Sequence, residues 1–290
     1  KIKKNKKMKT TSKTTALFPI LAAFSELYAN WLVDEFIGYT DEQKFLLGLI
    51  KTASTVKYNP DQIKTLISKD TNVINRFLKD NGFDIALQDP IDLCVATIMD
   101  LIGGWLEKAD EAIVQNEGDL YLAATIKSGI STSVISLGDN QVIKIETRNN
   151  ITVFIEPNAT ERSDLYLFKY IWNQTKVCAF EPSPCEVTIP FISMEEKPDI
   201  SWLVGIETRG NINFTISQAV QQNKLKLNCD GVHAQSAVAM GLRKCVDMSQ
   251  KERIIIDQPF NLWISGKDLG GEYFPLFGAY LAPEKKKKVD

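Results

Sequence analysis

The stretch Asn228-Cys-Asp-Gly-Val-His-Ala-Gln-Ser-Ala-Val-Ala-Met240 constrains this chain more than any other. Gly231 has no Cβ and takes backbone angles that other residues resist, so it marks a hinge. Beyond it the side chains of an extended chain alternate. Val232, Ala234, Ser236, Val238 and Met240 share one side, and His233, Gln235, Ala237, Ala239 and Gly241 share the other. The first set is small, mostly apolar and uncharged. Such a segment can lie as a loop in water or leave water as a buried strand. Two further strand-like pieces follow, Ile256-Asp-Gln-Pro-Phe260 and Leu276-Phe-Gly278.

A chain of 290 residues with a net charge of −2 is large enough for a full core and carries no bias toward nucleic acid or an anionic membrane surface. The longest apolar patch, Ala16–Phe24, is too short to span a bilayer. Lysines gather at the two ends, six of them in Lys1–Lys9 and four in Lys285–Lys288. We read residues 1–15 as a basic disordered lead, 16–283 as a single domain, and 284–290 as a basic tail. The basic lead, the apolar run from Ala16 and the pair Tyr28-Ala29 have the layout of a secretory signal; the competing reading of the same residues is a first helix. Asn150, Asn158, Asn173 and Asn213 begin glycosylation triplets. An extracellular location is therefore expected, with a cytoplasmic one as the alternative. Five cysteines leave at least one unpaired. Cys178 and Cys185 flank a Pro-rich turn that they could close, and a bridge between Cys229 and Cys245 would tie the loop to its own base.

Apolar spacing predicts helices in the first half. One runs from Phe24 through Leu27 to Trp31, and a second carries Phe45, Leu46, Leu49 and Ile50 behind a Thr40-Asp-Glu cap. Asn59-Pro-Asp-Gln-Ile63 predicts the start of a short helix, with Pro60 at an early position. Ile74, Phe77 and Leu78 predict another, and Pro90 opens a longer one through Leu93, Ile98, Leu101, Ile102, Trp105 and Leu106. Strands follow at Leu120–Ile126, Val142–Ile145, Ile151–Ile155, Cys185–Phe191 and Leu225–Leu227, with a helix over Tyr166–Trp172. Helices followed by a large mixed sheet make an α+β fold in one domain.

Catalytic chemistry finds little to stand on. His233 is the only histidine, which leaves a Ser-His-Asp or Cys-His nucleophile without its base. A multi-His zinc site is excluded for the same reason, and the chain has no Cys-x-x-Cys pair. No phosphate-binding glycine loop and no Gly-x-Ser-x-Gly elbow occurs. Neither an enzyme, nor a cofactor, nor a metal is expected.

The order of the C-terminal pieces resembles that of the serpin family. That family's hinge is an acidic run, a Gly and an Ala-rich segment. Asp230, Gly231, Val232, Ala234, Ser236 and Ala237 stand at those places. A Pro-Phe strand matches Pro259-Phe260, and the closing Phe-Gly strand and Pro match Phe277, Gly278 and Pro283. Phe24–Tyr28 resembles the family's first helix, Ile151–Pro157 its central strand, and Val187-Thr-Ile-Pro-Phe191 its Val-x-Leu-Pro-Lys-Phe strand. The chain also departs from the pattern. It is several dozen residues shorter than is usual. The family's Asn-Ala-x-Tyr-Phe-Lys-Gly-x-Trp strand is reduced to Leu120–Lys127, without the Trp near the loop's entry point. Gly38-Tyr-Thr40 replaces a Ser-Pro-x-Ser, and Gln221 replaces a buried His.

The resemblance implies a monomer with helices packed on a large mixed sheet and a mobile reactive-centre loop. It implies a serine protease as partner, with no nucleic acid and no membrane. The loop is bait: the protease forms an acyl-enzyme, and the cut loop inserts as a new strand and distorts the protease. Counting forward from Gly231 by the family's interval puts the cut after Cys245, and counting back from Pro259 puts it near Met248. The scissile region is therefore expected around Arg243, Lys244, Cys245 and Val246, and cleavage after Arg243 or Lys244 implies a trypsin-like target. The alternative implied is a binding or carrier protein whose loop never inserts.

Overall fold

A computed structural model describes residues 10–283 apart from 32, 54–62, 90–91, 117–118, 128–130, 138–139, 149–150, 177–179, 234–251 and 268–272. The first half runs β1 (Thr10–Thr15), α1 (Leu17–Trp31), β2 (Val33–Ile37), α2 (Asp41–Ala53), β3 (Ile63–Ser68), α3 (Thr71–Asp80), β4 (Cys94–Met99) and β5 (Gly103–Gly104). Next come β6 (Asp110–Asn116), β7 (Asp119–Ile126), β8 (Thr132–Leu137), β9 (Asn140–Glu146), β10 (Ile151–Pro157), α4 (Asp164–Lys176), β11 (Phe180–Pro190) and β12 (Ile192–Glu196). A 3-10 turn at Ser201–Leu203 precedes β13 (Glu207–Gly210), β14 (Asn223–Asn228), β15 (Gly231–His233), β16 (Glu252–Ile255), β17 (Phe260–Lys267) and β18 (Tyr273–Pro283).

The ten-stranded sheet has the order β1-β18-β17-β10-β9-β8-β11-β7-β6, with β16 pairing parallel to β11. A smaller sheet has the order β12-β14-β15-β5, and β13–β2 and β3–β4 form separate pairs. The α+β class read from the sequence is the observed one. The helices have local causes. Thr40 and Gln43 form a reciprocal capping box at α2: the Gln43 N–H donates to Thr40 Oγ1, while Gln43 Oε1 accepts from the N–H groups of Tyr39 and Thr40. Asp70 caps α3 by accepting from the Asn72 N–H at 2.8 Å, and Ile74 and Leu78, one turn apart, are its buried face. The continuous apolar run of β10 is buried on both faces. Ile151, Val153 and Ile155 enter the main core, and Phe154 stacks on Trp263 toward α4.

Three expectations change. Thr10–Thr15 is not part of a disordered lead, because it pairs along its whole length with β18. Of the two readings held for the apolar run after Ala16, the first helix is the observed one: α1 spans Leu17–Trp31, with Leu17, Phe18 and Leu21 buried in the core. Ile63 belongs to a strand, and the expected helix from Pro90 to Leu106 is instead β4 and β5. Cys94, Ala96 and Ile98 pack outward against Ile74 and Leu78 of α3, while Leu101 and Trp105 join the main core. The Gly103-Gly104 pair also suits a strand better than a helix interior.

Candidate functional site

The geometry of interest starts at the turn between β14 and β15. Asn228 folds the chain back on itself: its Oδ1 accepts from the Asp230 N–H at 2.9 Å, which is an Asx turn. Residues Gly231–His233 then run antiparallel to β14, with Leu227 opposite Val232 and Asn228 opposite Gly231. The first two of them pair on their other side with β5, where Gly231 faces Gly104 and Val232 faces Gly103. The first residues of the expected hinge are thus already a strand inside a sheet. A Cβ on Gly231 would lie 2.3 Å from the Gly103 carbonyl oxygen and 2.8 Å from Gly104 Cα. Close backbone approach, as well as its positive φ of 151°, demands the glycine.

Trp105 locks this junction. It is buried, its indole N–H donates to the Asn228 carbonyl at 2.9 Å, and its backbone N–H donates to Asp230 O at 3.2 Å. The sequence reading that no Trp stands at the loop's entry point is overturned. The strand beside the entry is β4–β5, and its Ile102-Gly-Gly-Trp105 end supplies the Trp. Leu120–Lys127, assigned to that place from the sequence, lies in the other sheet as β7.

Below β15 the small sheet opens into a cleft of about 1410 Å³. One wall is β4 and the residues to Leu101; the other is Ser217–Lys226, including the start of β14. The floor includes Ala16, then Ile20, Ala23 and Phe24 of α1, with Ile264 and Phe277 from the large sheet. Val232, Leu225 and Leu101 are all buried, so the face of β15 that carries Val232 is the core face.

Polar contacts organise the lower end. Asn223 Nδ2 donates to Thr14 Oγ1 at 2.9 Å, Thr14 Oγ1 donates to Glu196 Oε2 at 2.6 Å, and Gln221 Nε2 donates to the Ala16 carbonyl at 2.7 Å. Gln221, which stands in the sequence where the family has a buried His, lines the cleft.

A strap, Gly82–Gln88, crosses the mouth of the cleft from α3 to the β14 wall. The Asp84 N–H donates to Gln222 Oε1 at 2.8 Å, and Lys224 Nζ to the Gly82 carbonyl at 2.6 Å. Gln88 and Gln218 exchange two bonds: the Gln88 N–H donates to Gln218 Oε1, and Gln218 Nε2 donates to the Gln88 carbonyl. Lys197 holds the Asp84 carboxyl below the ordinary carboxylate range through an ion pair at 2.9 Å.

Of the expected site residues, Asp230, Gly231 and Val232 are brought together here. Ala234, Ser236 and Ala237, and the scissile candidates Arg243, Lys244, Cys245 and Val246, lie outside the described residues. Cys229 carries a free thiol, and Cys245, its expected partner, lies outside the described residues. Burial, then Glu111 and Asp230, push that thiol's pKa up. Asn158, Asn173 and Asn213 are exposed, and Asn150 lies outside the described residues. Among the described residues no three His, Cys, Asp or Glu side chains gather as metal ligands, and no helix is long and apolar enough to cross a membrane.

No protein-family model and no curated protein matches the sequence. Solved structures do match the fold. Serpin48 of the insect Tenebrio molitor, described as a highly specific serpin, aligns with a TM-score of 0.58 at 10% identity over 97% of this chain and 93% of its own. Human thyroxine-binding globulin complexed with its hormone aligns with a TM-score of 0.57 at 10% identity, over 94% of this chain and 91% of its own. SRPN18 from Anopheles gambiae gives 0.56 at 9% identity, over 96% and 94%. With β15 seated at the mouth of an open cleft and nearly the whole chain aligned, this protein has the serpin fold.

Proposed function

We propose that this chain is a bait inhibitor of a serine protease, and that its loop inserts into the cleft after cleavage. The observation that carries the reading is the seating of Gly231–His233 between β14 and β5 directly above an unfilled cleft. An entering strand adds backbone hydrogen bonds along both walls and buries Ala234, Val238 and Met240, which supplies the driving force. The uncut form is then held by kinetics rather than by equilibrium. A protease that has cut the loop as an acyl-enzyme is carried along and loses its active geometry. The Arg243-Lys244 pair fits the anionic pocket of a trypsin-like enzyme. Secretion and glycosylation go with this reading, and Asn158, Asn173 and Asn213 are open to solvent.

One observation favours a binding protein whose loop stays out. β14 begins only at Asn223, and the wall beyond it, Ser217–Gln222, is not a strand. An inserting loop must order that wall as it goes.

Incubation with trypsin, followed by a denaturing gel, separates the two. Covalent trapping gives a boiling-resistant band at the summed mass, and Arg243→Ala with Lys244→Ala abolishes it. Clean cleavage without that band, and without any gain in thermal stability, retires the inhibitor reading.

A further inference from the structure

We propose that the open edge of β6 is a self-pairing surface, through which two copies of this chain join antiparallel into one continuous sheet. It is independent of the loop and the cleft, and it departs from the monomer that the family resemblance implies.

β6 is the last strand of the ten-stranded sheet. β7 pairs with all of it, from Asp110 opposite Thr125 to Asn116 opposite Asp119, and among the described residues no strand pairs with its other side. That side presents backbone N–H and C=O groups that a further strand can take. Folded chains guard such edges by placing a charge within the strand or by keeping the strand short. The other outer strands are guarded in these ways. β1 carries Lys13, β12 carries Glu195 and Glu196, and β16 is four residues long with Glu252 and Arg253 among them. β6 has seven residues, and its stretch Ala112-Ile-Val-Gln115 carries no charge.

The outer face of this edge is apolar at its middle. Glu111, Ile113 and Gln115 face solvent, while Val114, on the opposite face, is buried. Ile113 is 55% exposed, and Leu120 of β7, opposite Gln115, is 46% exposed. Half-buried Leu122 stands opposite Ile113. A single exposed apolar residue needs no explanation, but this strip lies along an unguarded edge.

The strand is complementary to itself. Ile113 is the middle residue of Asp110–Asn116. A twofold axis through it, normal to the sheet, sets Ile113 against the second copy's Ile113, Glu111 against the second copy's Gln115, and Asp110 against the second copy's Asn116. The acids at the start of the strand thus meet amides from its end, and no like charges are opposed. Asp110 is in addition ion-paired with Lys127 at 2.7 Å. A parallel arrangement would instead set Glu111 against Glu111. The same axis keeps the exposed faces of both copies on one side, so each buried face stays with its own core. A seven-residue edge buries less than a standard interface, so the association is weak and is seen at high concentration.

The test is sedimentation equilibrium of the full, uncut chain from about 1 μM to about 1 mM, the range of a weak dimer. The unaltered chain is expected to pass from monomer to dimer. Ile113→Lys sets two ammonium groups on the axis and keeps the chain monomeric throughout. Gln115→Glu opposes a carboxylate to the other copy's Glu111 at two places, and raises the dissociation constant about fivefold. Adding Glu111→Lys to Gln115→Glu converts both contacts into opposite-charge pairs and brings the constant back to that of the unaltered chain or below it. Positions 111 and 115 lie about 13 Å apart along one strand, so this rescue arises only across the axis. Both are exposed, so the charge variants carry the test even if Ile113→Lys fails to fold. A chain that is monomeric at every concentration overturns the proposal. So does a dimer that a folded Ile113→Lys or the Gln115→Glu variant leaves intact, or a weakening that Glu111→Lys does not reverse. Growth beyond a dimer overturns it too, since a twofold contact closes on itself.

Discussion

Gly231 and Gly103 meet backbone to backbone, and this contact decides whether β15 stays in the small sheet. Alanine at Gly231 would place its Cβ 2.3 Å from the Gly103 oxygen, and neither partner is a side chain that could turn away. Gly231→Ala should expel β15 from β5 and cost about 1–3 kcal/mol, as overpacking does. The checks are the denaturant midpoint of the uncut chain and the amide exchange of Val232, which rises if β15 detaches. Protection unchanged at Val232 would mean that the junction yields elsewhere. The glycine was legible in the sequence, but as a hinge. Its reason is the other half of the contact, a Gly-Gly pair more than a hundred residues away in sequence, which no local pattern reports. Trp105 was misplaced for a related cause. It was read as part of a helix, so the strand carrying it to the loop's entry was sought further along the chain.

At the scale of elements, β4 explains the misreading. A strand with one wet face alternates apolar and polar, but β4 is covered outside by α3 and faces the core on its other side. Cys94-Val-Ala-Thr-Ile-Met99 therefore carries no clear period of two. β8 hid differently: Thr132-Ser-Val-Ile-Ser-Leu137 is short and half hydroxylic, and its partners β9 and β11 supply what its own side chains do not. The start of α2 was readable because capping is local. Thr40 was found as part of a cap, yet the tertiary half of the motif was not. Gln43 Nε2 also donates to the Trp202 and Val204 carbonyls, at 2.8 and 3.2 Å. Gln43→Ala removes the cap and the tether together in a buried place, and should cost about 2–4 kcal/mol in chemical denaturation. Gln43→Glu keeps the acceptor for the cap but cannot donate. If the tether matters, the Glu variant falls well short of the unaltered chain; recovery to full stability would assign the whole effect to the cap. The strap adds a pH term of its own. The Asp84 pKa is lowered by Lys197, so the pair's contribution is present above the ordinary carboxylate value of 3.8 and is lost as pH falls below it. Amide exchange at Asp84 should therefore accelerate on acidification below that value and be steady above it. Flat exchange through the same window would show that the ion pair does not hold the strap.

At the scale of the whole molecule, β1 is one link between the ten-stranded sheet and the sheet β12-β14-β15-β5. Thr10-Thr-Ser-Lys-Thr-Thr15 was read as the end of a disordered lead, because hydroxyl-rich segments without apolar alternation fill loops more often than cores. Only β18 reveals it as a strand, by pairing with all of it. Thr14 then reaches across to the small sheet, donating to Glu196 of β12 and accepting from Asn223 of β14. Asn223 sits on the cleft wall, buried and on the core face. Thr14→Val keeps the shape but takes away the hydroxyl that Asn223 donates to, which should cost the uncut chain about 1–3 kcal/mol for a buried amide left unpaired. Insertion changes that arithmetic. Under the proposed insertion, the register set by Gly231–His233 would bring Ser236 opposite Asn223, where its hydroxyl can accept the stranded amide hydrogen. The variant should therefore lose less stability after the loop is cut than before, and the rise in melting temperature on cutting should be larger than in the unaltered chain. Melting both forms of both proteins decides the matter. Equal losses before and after the cut would show that Ser236 does not come to lie beside Asn223, and that the loop does not enter in the register its first three residues set.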